Sequence, residues 1–289
     1  MIRVFFWGTR GSIVAPGPTT QRYGGNTACV QLVGFENSIP GAATAEDNPH
    51  LILDGGTGLA ALQSVLLRGA CGKGKGTLHL LLSHFHWDHL IGIPFFAPMF
   101  FKGNRMFFYG ANETNLRASI ERLFTSVYSP IKGTGNLSAD IHYCELARDG
   151  TSNHIDGFTV DVSETNHPTH TAAFRIRYEN SDVVYATDHE AGDAEADRKL
   201  VTLARGANLL ILDAQFSTAQ RRERAGYGHS SNLEAVDLAL QAGIDTLVMF
   251  HHNPEHDDDT LDALEKEAKA RAKEKLRVLM ARDGMVIDV

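Results

Sequence analysis

Continuous short apolar runs, the pattern of strands buried on both faces, fall at residues 2–7, 51–53, 78–82, 183–186, 209–212 and 246–250. Between and after them, apolar positions spaced by three and four predict amphipathic helices over 59–67, 114–126, 194–204, 232–241 and 259–275. The last is the best marked. Asp257, Asp258 and Asp259 stand at its start and Lys273, Lys275 and Arg277 near its end, as the helix dipole favours. Loops are predicted at 13–25, 34–49, 69–76, 132–136 and 191–194. No repeat, low-complexity block or linker divides the chain, so one domain over 1–289 is expected. Strands interleaved with helices at both ends predict an α/β protein.

The strand runs share a second regularity. LIL is followed by Asp54, LHLLLS by His84, VVYAT by Asp188, NLLIL by Asp213 and TLVMF by His251. Buried strands that end in a carboxylate or an imidazole place those groups where α/β architectures gather ligands, if the ends share one edge.

Composition narrows the chemistry. Of 289 residues 43% are hydrophobic and 21% charged, as in ordinary globular chains. Lys plus Arg number 27 against 35 Asp plus Glu, a formal charge of −8, which argues against an extended nucleic-acid surface. Three cysteines (Cys29, Cys71, Cys144) are too few and too scattered for a disulfide framework or a thiolate zinc cluster. The opening MIRVFFWG lacks the pattern of a secretory signal, and the longest apolar stretch, 90–101, is broken by Pro94 and Pro98. A cytoplasmic protein with no membrane partner is expected.

Histidine stands out, at 14 residues. Ser83-His84-Phe85-His86-Trp87-Asp88-His89 packs four potential ligands into six residues directly after a strand. In extended geometry His84, His86 and Asp88 alternate to one side, and a turn after Asp88 can bring His89 round to join them. Imidazole and carboxylate without thiolate suit Zn²⁺, with Mn²⁺ or Fe as alternatives. His79, inside LHLLLS, reads as a core histidine, and His142 and His154 as structural or surface residues.

The segment resembles the H-x-H-x-D-H signature of the metallo-β-lactamase superfamily, and other stretches follow that family's order: LILDGGTG, TNHPTH, YATDHE and VMFHHNPEH. The resemblance implies a four-layer αββα sandwich and two divalent metal ions, zinc first. It assigns His84, His86 and His167 to one ion and Asp88, His89 and His251 to the other, with Asp188 bridging. TLVMF is apolar throughout, so His252 stays open as the last ligand. Asp54 and Asp213 are implied as acids that orient ligand imidazoles. Two such ions, about 3.5–4 Å apart, can hold an attacking hydroxide, which Asp88 would help orient, so hydrolysis is the implied reaction.

Within the superfamily, a phosphodiesterase branch is implied. Asp188 occupies the bridging position where the best-known dizinc β-lactamases carry Cys. GYGHSSNLEAVDLA resembles the H-S-T segment of tRNase Z-like enzymes, implying His229 as the proton donor to the leaving oxygen. The opening GTRGSIVAPGP and RYGGNTACV resemble the same branch, with Arg10, Arg22 and Asn26 within reach of a phosphate. True tRNase Z enzymes carry a long arm between the third metal His and the bridging Asp. Here that interval is 21 residues, and the carboxylate partner of the donor His would fall near Tyr185, leaving Glu190 or His189 as substitutes. A small cyclic phosphodiester, such as a cyclic nucleotide, is the expected substrate. A lactonase, a glyoxalase-II-like thioesterase and a tRNase Z-like ribonuclease are the alternatives. The aromatic run over 93–109 reads as an apolar lip, a homodimer interface or ordinary core, and Arg221, Arg222 and Arg224 as a mobile loop or a solvated helix face.

Overall fold

The computed structural model describes residues 1–35, 48–111, 115–129 and 131–289. The predicted loop over 34–49 and the first residue of the predicted helix at 114–126 fall largely outside them. In chain order the strands are β1 (Ile2–Gly8), β2 (Cys29–Gly34), β3 (His50–Leu53), β4 (Thr77–Leu82), β5 (Arg105–Gly110), β6 (Asp140–Glu145), β7 (Asn153–Ile155), β8 (Phe158–Glu164), β9 (Ala172–Tyr178), β10 (Ser181–Ala186), β11 (Leu209–Asp213), β12 (Thr246–Phe250), β13 (Arg277–Met280) and β14 (Val286–Asp288). The helices are α1 (Leu59–Leu66), α2 (Leu116–Leu123), α3 (Ala194–Ala204), α4 (Thr218–Glu223), α5 (Asn232–Ala242) and α6 (Asp258–Ala272).

Two sheets result, ordered β14-β1-β2-β3-β4-β5-β6 and β13-β12-β11-β10-β9-β8-β7. In each, four neighbouring strands run parallel: β3 to β6 in the first and β10 to β13 in the second. Parallel neighbours need long crossovers, which α1, α3, α5 and α6 supply. The remaining strands pair antiparallel. Every apolar run predicted as a strand is one. Among the purely antiparallel strands β1 was predicted and the others were not; where one face meets helices, loops or solvent, the apolar run is broken by alternation. In β8, Phe158 and Val160 are buried while Thr159 and Asp161, which alternate with them, are not.

The facing sheets bury Phe6, Leu53, Phe174, Ile211, Val248 and Phe250 between them. On the outer face of the second sheet Leu200, Val236 and Leu264 of α3, α5 and α6 pack on Leu210 and Leu247. On the outer face of the first, Leu62 and Ile120 of α1 and α2 pack on Leu80 and Phe108. At about 1.5–3 kcal/mol for each large apolar side chain buried, these three layers of contact hold the αββα stack together. Local signals agree with the packing. Ser231 and Glu234 close a capping box on α5, which ends at left-handed Gly243. Asp257 caps α6, and that helix stops at Ala272 rather than 275 because Lys273 turns to φ 54°. The aromatic run divides: Phe96 and Phe108 are core, whereas Phe95, Phe100 and Phe101 are exposed. Among the described residues no helix is long and apolar enough to cross a membrane.

Candidate metal centre

The two parallel half-sheets end at a common edge, and there the five strand-end residues meet. Asp54, Asp188 and His251 all adopt the left-handed region, with φ of 60°, 54° and 62°, and so does Ser12 at 64°. At Asp54, Asp188 and His251 the backbone takes this conformation within two residues of a strand end. Non-glycine residues hold this conformation only where the surroundings impose it, and such strain gathers at functional sites.

The ligand atoms of His84, His86, His167 and Asp188 lie within 4.8 Å of one another, as do those of Asp88, His89 and His251. His86 Nδ1 faces His167 Nε2 at 3.3 Å, and His84 Nε2 lies 3.7 Å from Asp188 Oδ1. On the other side, His89 Nε2 faces His251 Nε2 at 3.3 Å. Both nitrogens approach Asp88 Oδ2, at 3.2 and 3.0 Å, and both lie 3.3 Å from Asp188 Oδ2. Asp188 therefore directs one oxygen to each group. His251, not His252, belongs to the cluster. His252 turns away and donates through Nε2 to the Ala281 carbonyl.

These side chains suit divalent cations. His84 Nε2 is buried and has no hydrogen-bond partner. Two pairs of imidazole nitrogens meet edge to edge, where a shared cation would satisfy both members. In the first group the protonation states agree. Burial, reinforced by His89, pushes His84 well below the ordinary imidazole range, and burial lowers His86 and His167, so all three are neutral, as metal ligands must be. Burial alone would raise Asp88 and Asp188. For Asp88 the charge of His89 and hydrogen bonds from His251 and His89 outweigh it; for Asp188 the charges of His251, His89 and His84 do, and both carboxyls fall below the usual range. His89 is raised although burial opposes it, because Asp88, Asp188 and Asp54 surround it. Three buried carboxylates around one imidazole are a surplus of negative charge that a bound cation would neutralise.

A polar shell holds these groups in place. Asp54 accepts from Ser83 N, Ser83 Oγ, His89 Nδ1 and Tyr185 Oη, each at 2.8 Å to its nearer oxygen. It thereby fixes the His89 tautomer and points Nε2 at Asp88 and Asp188. Ser12 donates its backbone N–H to Asp88 Oδ2 at 2.7 Å. His167 Nδ1 donates to the Gly228 carbonyl at 3.0 Å, and Glu190 accepts the Gly226 and Gly228 N–H groups at 2.8 and 2.7 Å while meeting Arg221 at 3.0 Å. Gly228, at φ 89°, must be glycine, since a Cβ would lie 2.0 Å from His167 Nδ1.

Asp213 has a different neighbour from the one expected. It receives His229 Nδ1–H at 2.7 Å, against 3.6 Å to His251 Nδ1. The carboxylate partner of His229 is thus Asp213. Glu190 is occupied with the glycine turn, and His189 is bound to Asp197. Burial lowers His229, but the Asp213 charge and hydrogen bond outweigh it and raise the imidazole.

The three expected phosphate contacts are corrected. Arg10 is fully buried, donating to the carbonyls of Gly24, Asn253 and His256 at 2.9, 3.0 and 2.7 Å. Arg22 is spread over Asp258, Asp259 and Asp262 at the start of α6. Asn26 donates to Asp283 at 3.0 Å and accepts from Thr57 at 3.1 Å. All three brace the loops behind the cluster. Arg221 and Arg224 likewise pin α4, to Glu190 and Glu255. His79 bonds Tyr109 at 2.9 Å, His142 pairs with Asp140, and His154 meets Thr159. Sequence reasoning missed Ser12, Ser83, Gly228 and the bracing role of Tyr185, since a hydroxyl or glycine carries no signal until its neighbours are known.

Comparison with known proteins follows the same lines. The family model described as the Beta-lactamase superfamily domain matches residues 51–252. An uncharacterized protein of Mycobacterium leprae (strain TN), ML1173, is 28% identical over 259 residues, covering 88% of this chain and 78% of its own. A ribonuclease Z of Halalkalibacterium halodurans is 23% identical over 257 residues, covering 72% of this chain and 80% of its own. The crystal structure of the metallo-beta-lactamase fold protein YhfI from Bacillus subtilis superposes with a TM-score of 0.70 at 22% identity, over 99% of this chain and 98% of that one.

Proposed function

The chain belongs to the beta-lactamase superfamily and is a metallo-hydrolase, and from that premise we propose that it cleaves small cyclic phosphodiesters, such as cyclic nucleotides, in the cytoplasm. His84, His86 and His167 would hold one divalent cation and Asp88, His89 and His251 the other, with Asp188 shared; Zn²⁺ fits these donors first, then Mn²⁺ or Fe. Bound there, the pair supplies Lewis-acid polarisation of the phosphorus–oxygen bonds and a water nucleophile of lowered pKa.

The chain's own residues do the rest. Asp88, fixed by Ser12 and His251, orients the attacking water. His229 donates a hydrogen bond from Nδ1–H to Asp213, which stabilises the imidazolium and leaves its Nε2 proton for the departing oxygen. This buried His–Asp pair argues against a thioester substrate: an alkoxide needs a proton as it leaves, whereas a thiolate needs it far less. The name ribonuclease Z of one relative supports phosphodiester chemistry. Against a folded RNA stand the charge of −8 and the β9–β10 hairpin, which fills the interval where tRNase Z enzymes carry their arm.

The test is elemental analysis with turnover of bis(p-nitrophenyl) phosphate, a cyclic-nucleotide panel, an acyl-homoserine lactone and a glutathione thioester. Two metals per chain and phosphodiester turnover are expected. Turnover of the lactone or thioester with neither phosphodiester cleaved would overturn the reading. In His229→Ala, cyclic-nucleotide hydrolysis should fall by about 10²–10⁴ while release of p-nitrophenolate, a good leaving group, changes little.

A further inference from the structure

Phe85 and Trp87 are interleaved with His84, His86 and Asp88, yet they face a different space. With the end of α2 and the turn after it they line a hollow of about 360 Å³. One wall is the strand-end loop that carries the candidate ligands; the other holds Arg122, Leu123, Thr125 and Tyr128. Its volume and make-up are those of a small-molecule pocket: mostly aromatic and aliphatic, with a few polar groups.

Three features bear on what this hollow can hold. Trp87 and Tyr128, two large aromatic side chains in the lining, are 62% and 76% exposed. Arg122 forms no ion pair among the described residues, although Arg117 on the same helix pairs with Glu121. Thr125 Oγ1 is buried without a hydrogen-bond partner. We propose that the hollow binds a planar aromatic ring bearing one anionic group, the chemistry of a nucleoside monophosphate. The ring stacks between Trp87 and Tyr128, the anion meets Arg122, and Thr125 bonds a ring heteroatom. Because Phe85 and Trp87 separate consecutive candidate ligands, an occupant here touches the loop that positions them. The inference stands whether or not a phosphodiester is the substrate.

Trp87 is the reporter. Sequence composition gives two tryptophans, and Trp7 is partly buried and bonded to Gln31, so a Trp7→Phe background leaves Trp87 emission alone. Full-length protein is titrated with adenosine 5′-monophosphate, adenosine and inorganic phosphate. The monophosphate should quench saturably, and adenosine should bind about tenfold more weakly for want of one charge-assisted contact. Phosphate should not quench. Arg122→Ala should reduce the monophosphate to the affinity of adenosine, and Tyr128→Ala should weaken both. Absence of saturable quenching, equal affinity for both compounds, or undiminished binding in Arg122→Ala would overturn the proposal. Hydrolysis assays are unaffected by such a result, so the functional reading stands or falls separately.

Discussion

Gly11 lies against the His251 ring, and replacing it with alanine tests whether that ring must stay where it is. A Cβ at Gly11 would sit 2.3 Å from His251 Nδ1 and 2.4 Å from Cε1, where ordinary contact begins at 3.4 Å. The ring would have to retreat by about 1 Å, and overpacking of this kind costs about 1–3 kcal/mol. Retreat is blocked on the far side. His251 Nε2 is 3.0 Å from Asp88 and 3.3 Å from Asp188, and its backbone is already left-handed. A shift of one ångström in a reacting constellation costs about 10²-fold in rate, and disturbing the support of a metal ligand costs about 10–100-fold in affinity. Gly11→Ala should therefore bind one of two metals about 10–100-fold more weakly and lose about 100-fold in turnover. Chelator competition, elemental analysis and urea unfolding measure these separately. Gly17→Ala is the control, since nothing lies closer than 3.9 Å to a Cβ there. Full metal content and full activity in Gly11→Ala would refute the assignment of His251, and so would a loss of stability alone.

Three further substitutions probe the supports. Tyr185→Phe removes one donor from fully buried Asp54 and should cost about 1.5–3 kcal/mol by urea unfolding, with His89 still held; an unchanged midpoint would contradict the network. Glu190→Gln keeps the shape but gives up one of the carboxylate oxygens that accept Gly226 and Gly228, so the turn that receives His167 should loosen and metal affinity fall about 10–100-fold. Asp283 sits half-buried against Thr9, Asn26 and Arg10, and burial pushes its carboxyl up to about 6 from the ordinary 3.8, over the opposing hydrogen bonds of Asn26 and Thr9 and the charge of Arg10. The folded state then holds this proton more tightly than the unfolded chain, so the contribution of Asp283 to stability is greatest below pH 3.8 and falls as pH rises to about 6, by about 3 kcal/mol in all. Asp283→Asn should remove that slope from urea midpoints taken between pH 4 and 7, and a slope that persists would place its origin elsewhere.

Much of the site was legible because its ligands arrive on the strongest sequence signal available. A continuous apolar run marks a doubly covered strand, and the polar residue that ends it must sit at the sheet edge. Asp54, Asp188 and His251 also belong to the residue types that best tolerate the left-handed turn found there. The antiparallel strands were weaker signals, since alternation over a few residues also describes a loop. Pairing of side chains across the site was weaker still. Asp213 and His229 are 16 residues apart and were expected to serve different partners, yet the helix capped by Ser231 brings His229 onto Asp213 at 2.7 Å. Arg10 misled for a physical reason: its partners are main-chain carbonyls as far away as His256, and a carbonyl acceptor is the same at every position in a sequence.

The arginine correction reshapes how substrate recognition is argued. Had Arg10, Arg22 and Asn26 been free of partners, a phosphate-gripping entrance would have favoured an extended polyanion. They instead hold loops together, Arg10 beneath the turn that carries Gly11 and Ser12. Two exposed large side chains that adjoin the cluster in the chain are apolar or aromatic: Ile13 beside Ser12 and Tyr227 beside Gly228, while Trp87 belongs to the separate hollow. Each neighbours, in the chain, a residue that touches a candidate ligand or is one. A bound cation pair would thus meet the single charge of a small phosphodiester, while these rims meet flat or apolar flanks through area rather than charge. On the proposed function, recognition built this way would discriminate by the shape of the groups beside phosphorus, which is the demand a small cyclic substrate makes and a long polyanion does not.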